Sequence, residues 1–327
     1  MSILVFLEHH GSDFEKGSLG VLSRVARLGD GHVAAVVVGG GPITAIASEA
    51  GKFGADTVYV VDDDSLDPPL PQPRVDVLQA VIEAGGYDTV LFSNSVLAAD
   101  VAAGLAARLD AGLNWDLIDI CWRDGQVNGE LIGKRPALQD SVIVDVGWRS
   151  QPRLALFRAG SFDAAPTAAA ATRIEQVHVE WRPHSCRATV VEQRPQGEGG
   201  PSIEDAEVVI GGGMGLGGPE HFQLAEDLAT TLGGVVAATR AAVYAGWYPY
   251  SAQVGQTGKT VSPRLYFAVG ISGAVQHKVG MQNSKVIIAI NTDPAAPIFE
   301  FSDLGVVGDV HAIVPEVIEL LRERRSR

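Results

Sequence analysis

Residues 207–240 read EVVIGGGMGLGGPEHFQLAEDLATTLGGVVAATR, and the order of their textures decides the fold. Glu207–Ile210 is a short apolar strand, a glycine run follows, Pro219–Leu232 reads as a helix, and Val235–Ala238 is strand again. Leu265–Val269 and Val286–Ile290 continue the series, with Ile298–Phe301 as a candidate fourth later strand. Apolar strands alternating with helices describe a doubly wound parallel sheet. Val310, Ile313, Val314, Val317, Ile318 and Leu321 recur at helical spacing in the tail. Proline is best tolerated in the first turn of a helix, so this helix is expected to begin at Pro315. Arg322, Arg324 and Arg325 then complement the negative end of its dipole.

The same rhythm runs from the N-terminus. Strands are expected at Ile3–Leu7, Val33–Val38, Thr57–Val61 and Thr89–Phe92. Helices are expected near Ser18–Leu28, Ile43–Phe53, Val75–Ala84 and Ala98–Leu109, giving a parallel sheet covered on both faces. From Leu117 the texture turns β-rich, with Leu117–Cys121, Gln126–Leu131, Ser141–Val146, Arg153–Phe157 and Arg173–Val179 expected as antiparallel or edge strands. Arg194–Ser202 (RPQGEGGPS) reads as a linker, so the domains are placed at 1–195 and 196–327. Ala168–Ala171 is the one low-complexity tract.

The 327 residues carry a formal charge of −14, which argues against nucleic acid or an anionic membrane surface as main partner. The apolar runs are strand-sized, so no direct membrane insertion is expected. Cys121 and Cys186 form neither a disulfide framework nor a metal site, and the chain is expected in the cytoplasm. Against this acidity, Leu228–Thr292 contains no aspartate or glutamate but keeps Arg240, Lys259, Arg264, Lys278 and Lys285, plus His277. Such a window suits a bound polyanion, which carboxylates would repel. A buried apolar half-domain is the bland alternative, but it does not explain five cations.

Gly213–Gly218 (GMGLGG) satisfies GxGxxG between strand and helix. The nicotinamide form of that motif requires a carboxylate ending the next strand, which here ends in Thr239-Arg240, so the motif alone is weak. Gln253–Lys259 (QVGQTGK) runs on into Thr260 to give GKT but lacks the spacing and frame of a Walker loop. Gly270–His277 (GISGAVQH) follows a strand where a helix is expected to start, exposing N–H groups to an anion. The next strand ends at Asn291. Four such ends are expected to converge on a long ligand. His277 by itself reads more readily as a helix-surface or core histidine than as a catalytic one, and Trp247, Tyr248 and Tyr250 as a ring stack, core packing or a partner interface. Glu8-His9-His10 ends the first strand, where the first sheet would receive a nucleotide or a partner.

VGQTGK at 254–259, GISGAVQH at 270–277, AINTDPAAPIF at 289–299 and TRAAV at 239–243 together resemble the alpha subunit of electron transfer flavoprotein. LVFLEH, AAGLAARLDAGL and DVHAIVPEVIELL extend the similarity over the whole chain. The resemblance implies an N-terminal nucleotide-hydrolase-like α/β domain that contacts a beta subunit in a heterodimer. It also implies FAD in the C-terminal domain. Dehydrogenases (acyl-CoA or other) and a quinone-linked oxidoreductase are implied as transient partners, and an electron carrier rather than a stand-alone enzyme. Implied cofactor contacts are Gly213, Met214, Gly215, Thr239, Arg240, Gln253, Val254, Gly255, Gln256, Thr257 and Gly258. To these the resemblance adds Ser272, Gly273, Ala274, Val275, Gln276, His277, Asn291, Asp309 and Val310. Arg240 would lie over the isoalloxazine, the Thr257 hydroxyl near N5, and His277 beside the C2 carbonyl oxygen. Met214 stands where the family's GGRG turn places arginine, and Tyr244 where SRAAVD places aspartate. Alternatives are a bifurcating complex with a second flavin, a nicotinamide-dependent oxidoreductase and a nucleotide-binding regulator.

Overall fold

The computed structural model describes residues 1–192 and 203–325 apart from Ser12, Asp30, Pro42, Asn128, Gln139, 168–171 and Asp205. The expected linker Arg194–Ser202 and the Ala168–Ala171 tract lie outside the described residues. Two compact units emerge, Met1–Gln193 and Arg194–Arg327. Among the described residues no helix is long and apolar enough to cross a membrane.

In the first unit β1 (Ser2–Leu7) leads through a tiny hairpin, β2 (His9–His10) and β3 (Asp13–Phe14), into α1 (Lys16–Ala26). Then come β4 (His32–Gly39), α2 (Ile43–Ala47), β5 (Thr57–Asp62), α3 (Pro71–Gly85), β6 (Thr89–Ser93) and α4 (Val96–Leu109). Helix α4 starts two residues before its apolar pattern because the Ser95 hydroxyl caps it, accepting from the Ala98 N–H at 2.9 Å. The expected helix 43–53 keeps only five α-residues and tightens into a 3₁₀ stretch, Ser48–Phe53. The β-rich stretch supplies β7 (Leu113–Leu117), β8 (Asp119–Trp122), β9 (Leu131–Ala137), β10 (Val142–Val146), β11 (Arg153–Phe157) and β12 (Arg173–Gln176).

Seven of the described strands form one sheet in the order β12-β5-β4-β1-β6-β11-β7, every ladder parallel. Along β1, Ile3, Val5 and Leu7 enter one apolar layer while Leu4 and Phe6 enter the other. The expectation of an antiparallel or edge strand at Arg153–Phe157 is corrected: β11 is interior and parallel. Both of its faces are apolar, with Leu154 and Leu156 in one layer and Ala155 and Phe157 in the other. Arg173–Gln176 does lie at an edge, but parallel, and the expected strand Leu117–Cys121 is divided between the end of β7, the other parallel edge, and β8. Gln126–Leu131 is not a strand. The left-handed residues Asp124 and Gly125 turn the chain, and pairing begins only at Leu131.

A separate antiparallel sheet, β10-β9-β8, carries β10 on its edge with Val142, Ile143 and Val144 exposed. Arg158, just past β11, fastens this sheet to the main one. Its guanidinium donates to Asp116 at 2.8 and 2.9 Å and to Asp140 at 2.7 and 3.1 Å. Both aspartates sit at left-handed φ, 61° and 63°.

The second unit runs β13 (Val208–Gly212), α5 (Phe222–Leu232), β14 (Val235–Thr239), α6 (Arg240–Tyr244), β15 (Gln253–Val254) and β16 (Leu265–Val269). It continues with α7 (Val275–Lys278), β17 (Ile287–Asn291), β18 (Leu304–Val307) and α8 (Val310–Arg325). The described strands pair in parallel in the order β15-β14-β13-β16-β17-β18. Helices α5 and α8 cover one face through Phe222, Leu228, Val310, Val314 and Ile318. Two expectations are corrected here. Ile298–Phe301 is a 3₁₀ turn begun by Pro297, its Ile298 N–H given to the Ser272 carbonyl at 2.9 Å, and the sixth strand is β18. Helix α8 begins at Val310, not Pro315. The Asp309 carboxylate accepts from the His311 N–H at 2.9 Å, while Val310 and Val314 anchor the first turn in the core. Pro315 lies on the exposed face, where solvent can satisfy the carbonyl its ring leaves without a donor.

Candidate functional site

The carboxyl ends of β14, β15, β16 and β17 surround a cavity of about 640 Å³. Of the site residues inferred from sequence, Met214, Gly215, Thr239, Arg240, Val254, Gly255, Gln256, Thr257, Ser272, Ala274, Gln276, His277 and Asn291 line it. Ala241, Tyr244, Gly270 and Ile271 also line it; they fall within or beside the quoted motifs but were not among the implied cofactor contacts. The place of Tyr244 four residues after Arg240 on a helix, and of Gly270 at the end of a strand, are the signals that would have added them to those contacts.

The other inferred residues do not line it. Gly213 is packed against Gly270, whose carbonyl oxygen would lie 2.3 Å from an added Cβ. Gln253 is buried, with its Nε2 donating to the Thr257 hydroxyl at 3.2 Å and its Oε1 without a partner. Gly258 and Gly273 lie against the backbones of Gln253 and Ile298. Val275 opens the single-turn helix α7, Asp309 caps α8, and Val310 is in the core. Helix α7 is four residues long, so it brings little of the dipole expected of a helix starting here.

Glycines let the loops close on one another. Gly270, at φ 65°, has an ideal Cβ position 2.8 Å from Gly215 backbone atoms, and the Gly215 N–H donates to the Gly270 carbonyl at 2.9 Å. The GxGxxG run therefore serves loop-to-loop contact beside the cavity. The Gln256 N–H donates to the Gln276 carbonyl at 2.7 Å, tying the 254–258 loop to α7. The Asn291 amide donates to the Ile271 carbonyl at 2.8 Å.

Charge is distributed differently from the sequence expectation of five cations around one anion. Lys259 pairs with Glu204 at 3.1 Å and Arg264 with Glu207 at 3.6 Å, acids supplied from outside the acid-free window. Lys278 lies over the Phe301 ring. Arg240 alone among the described lining residues is a fixed cation, and no carboxylate joins it. The Tyr248 ring stacks on Phe222 at 4.7 Å in the core, so that aromatic cluster is largely packing.

His277 is buried, and both ring nitrogens are engaged. Nδ1 donates to the Val254 carbonyl at 3.1 Å, because a carbonyl can only accept. Nε2 lies 3.0 Å from the Tyr266 hydroxyl and accepts from it, which fixes the neutral tautomer. Burial pulls the imidazole pKa down to about 4. The unfolded histidine titrates near 6.5, so between those values the unfolded chain binds a proton that the folded chain refuses. Stability of the second unit is therefore expected to fall on acidification from pH 6.5 to 4, by up to about 1.4 kcal/mol per pH unit. Urea titrations across that range check this, and His277→Gln is expected to flatten the dependence.

The first unit has its own cleft, of about 500 Å³, past the ends of β1, β4 and β6. Two of its charged groups are engaged internally, while the buried Nδ1 of His9 has no hydrogen-bond partner. Arg74 donates to the carbonyls of Leu66, Pro68 and Leu70, and Glu8 accepts from Ser95. Burial raises the Glu8 pKa.

Two family models match the chain. Residues 3–180 match the family described as the electron transfer flavoprotein domain, and residues 202–282 the electron transfer flavoprotein FAD-binding domain. The chain is 38% identical to an electron transfer flavoprotein subunit alpha of Mycobacterium leprae, covering 99% of both chains. It is 37% identical to the same-named subunit of Syntrophomonas wolfei, covering 98% of each. Protein FixB of Clostridium saccharobutylicum is 35% identical over 98% of this chain and 96% of its own.

Proposed function

Since the chain belongs to the electron transfer flavoprotein alpha-subunit family, we propose that its second unit holds FAD in the cavity beyond β14–β17 and, paired with a beta subunit, relays electrons. One observation carries the assignment to this cavity: four strand ends meet there around a wall with one cation and no carboxylate. The cavity is of ligand-pocket size. Among the described residues, the backbone N–H groups of Thr257, Ser272 and Ala274 on its wall take no part in backbone pairing. Residues and group therefore fit.

Bound there, FAD supplies one- and two-electron chemistry. The chain supplies an electrostatic setting. Arg240 and the unpaired N–H groups favour the negative charge that reduction adds. Glu204 and Glu207 are held by Lys259 and Arg264. The neutral His277 offers no group that titrates near pH 7, so the wall has no built-in acid or base, as suits an electron carrier.

We assign the subunit contact to residues 1–195 and cofactor binding to 196–327. The exposed apolar strand β10 supports the first assignment. Dehydrogenases are the proposed donors, with acyl-CoA dehydrogenases among them, and a quinone-linked oxidoreductase the proposed acceptor. Free thiols at Cys121 and Cys186 support a cytoplasmic setting. Co-purification with the beta subunit and quantification of released flavin tests the reading. One FAD per heterodimer is expected. Two would favour bifurcation, and none after added FAD would refute the proposal.

A further inference from the structure

Arg240 faces the cavity without an acidic companion, and what holds it there is an aromatic ring. Its guanidinium carbon lies 4.9 Å from the centroid of Tyr244. The two residues are four apart on α6, so they share one face, and both line the cavity. The helix beneath them is fixed at its start by the Thr239 hydroxyl, which accepts from the Ala242 N–H at 3.4 Å, and by Ala242 buried in the core. Tyr244 itself is 68% exposed, so packing alone does not require an aromatic residue at that position.

The manner of restraint decides the charge. A carboxylate at this position would also hold the guanidinium, but it would cancel its positive field. A ring face attracts the cation through its quadrupole and leaves the full charge in place. We propose that Tyr244 is a positioning residue that keeps Arg240 on the cavity wall un-neutralised and thereby raises the reduction potential of the bound flavin. The inference rests on the reading that FAD occupies this cavity.

The test is a spectroelectrochemical titration of the flavin-loaded heterodimer and its variants. Tyr244→Phe keeps the ring and is expected to retain the wild-type potential. Tyr244→Leu releases the guanidinium and lowers the equilibrium constant for the first electron about threefold. Tyr244→Asp cancels the charge and lowers it about tenfold, which is about 59 mV for one electron. Arg240→Gln is expected to lower it at least as far. If Arg240→Gln lowers the potential while Tyr244→Leu and Tyr244→Asp match the wild type, the role of Tyr244 is overturned and the FAD site stands. If Arg240→Gln has no effect, the placement of FAD beside Arg240 fails as well. Tyr244 is exposed, so these variants are expected to fold, and their circular dichroism checks it.

Discussion

Replacing Gly270 with valine is expected to yield a heterodimer with less than about a tenth of the wild-type flavin content. Two effects act at that position. The backbone sits at φ 65°, where a β-branched residue is strained by about 1–3 kcal/mol. The new Cβ would also stand 2.8 Å from the Gly215 backbone, which no side-chain rotation relieves. The loop 213–218 must move away from the end of β16, and the cavity wall opens between them. Gly270→Ala meets the same Cβ contact without the branched side chain, so it should fall between the two. Flavin absorbance per heterodimer, with the urea midpoint of the second unit, measures the effect. Full flavin content in Gly270→Val would show that the contact between these loops is irrelevant to binding.

The second large effect concerns folding rather than the cofactor. Arg158 is 11% exposed and forms hydrogen bonds with two aspartates held in left-handed conformations. These two carboxylates raise the Arg158 pKa, so the guanidinium stays charged. Arg158→Ala would leave both carboxylates facing each other. Loss of one member of a buried charged cluster typically costs about 3–5 kcal/mol, and the lower end applies because Asp116 and Asp140 retain partial solvent contact. We expect the first unit to lose about 3 kcal/mol. Hydrogen exchange should accelerate earliest in β9 and β10, which this clamp ties to the main sheet. Arg158→Lys should recover only part of the loss, because an ammonium cannot engage both carboxylates bidentately. An unchanged urea profile would rule out the clamp.

Much of the fold could be read in the residues because the parallel strands are apolar on both faces. Val33–Val38 and Thr89–Phe92 have few other places to go. The errors arose where tertiary partners override local texture. Arg153–Phe157 looks the same in sequence whether it lies at an edge or between β6 and β7, and only its two-sided burial distinguishes them. Pro315 suggested a helix start, yet the anchoring of Val310 and Val314 in the core prevailed one turn earlier. At the site, the strand-end motifs led to the cavity, but its electrostatics could not be read from sequence. Absence of acids within 228–292 says nothing of Glu204 and Glu207, which approach from outside that window. The partner of His277 was accessible in principle. Tyr266 lies in an apolar strand, and a buried phenol needs an acceptor.

Strand β10 has a consequence for how the protein must be made. It turns three consecutive aliphatic side chains to solvent and pairs on one side only among the described residues. A bare edge of that composition is a template for the same edge on another copy. With the subunit contact assigned to this unit as proposed, synthesis of the polypeptide in excess of its companion is expected to leave a pool of chains prone to stick to one another, against which matched production of the two subunits is the simplest protection.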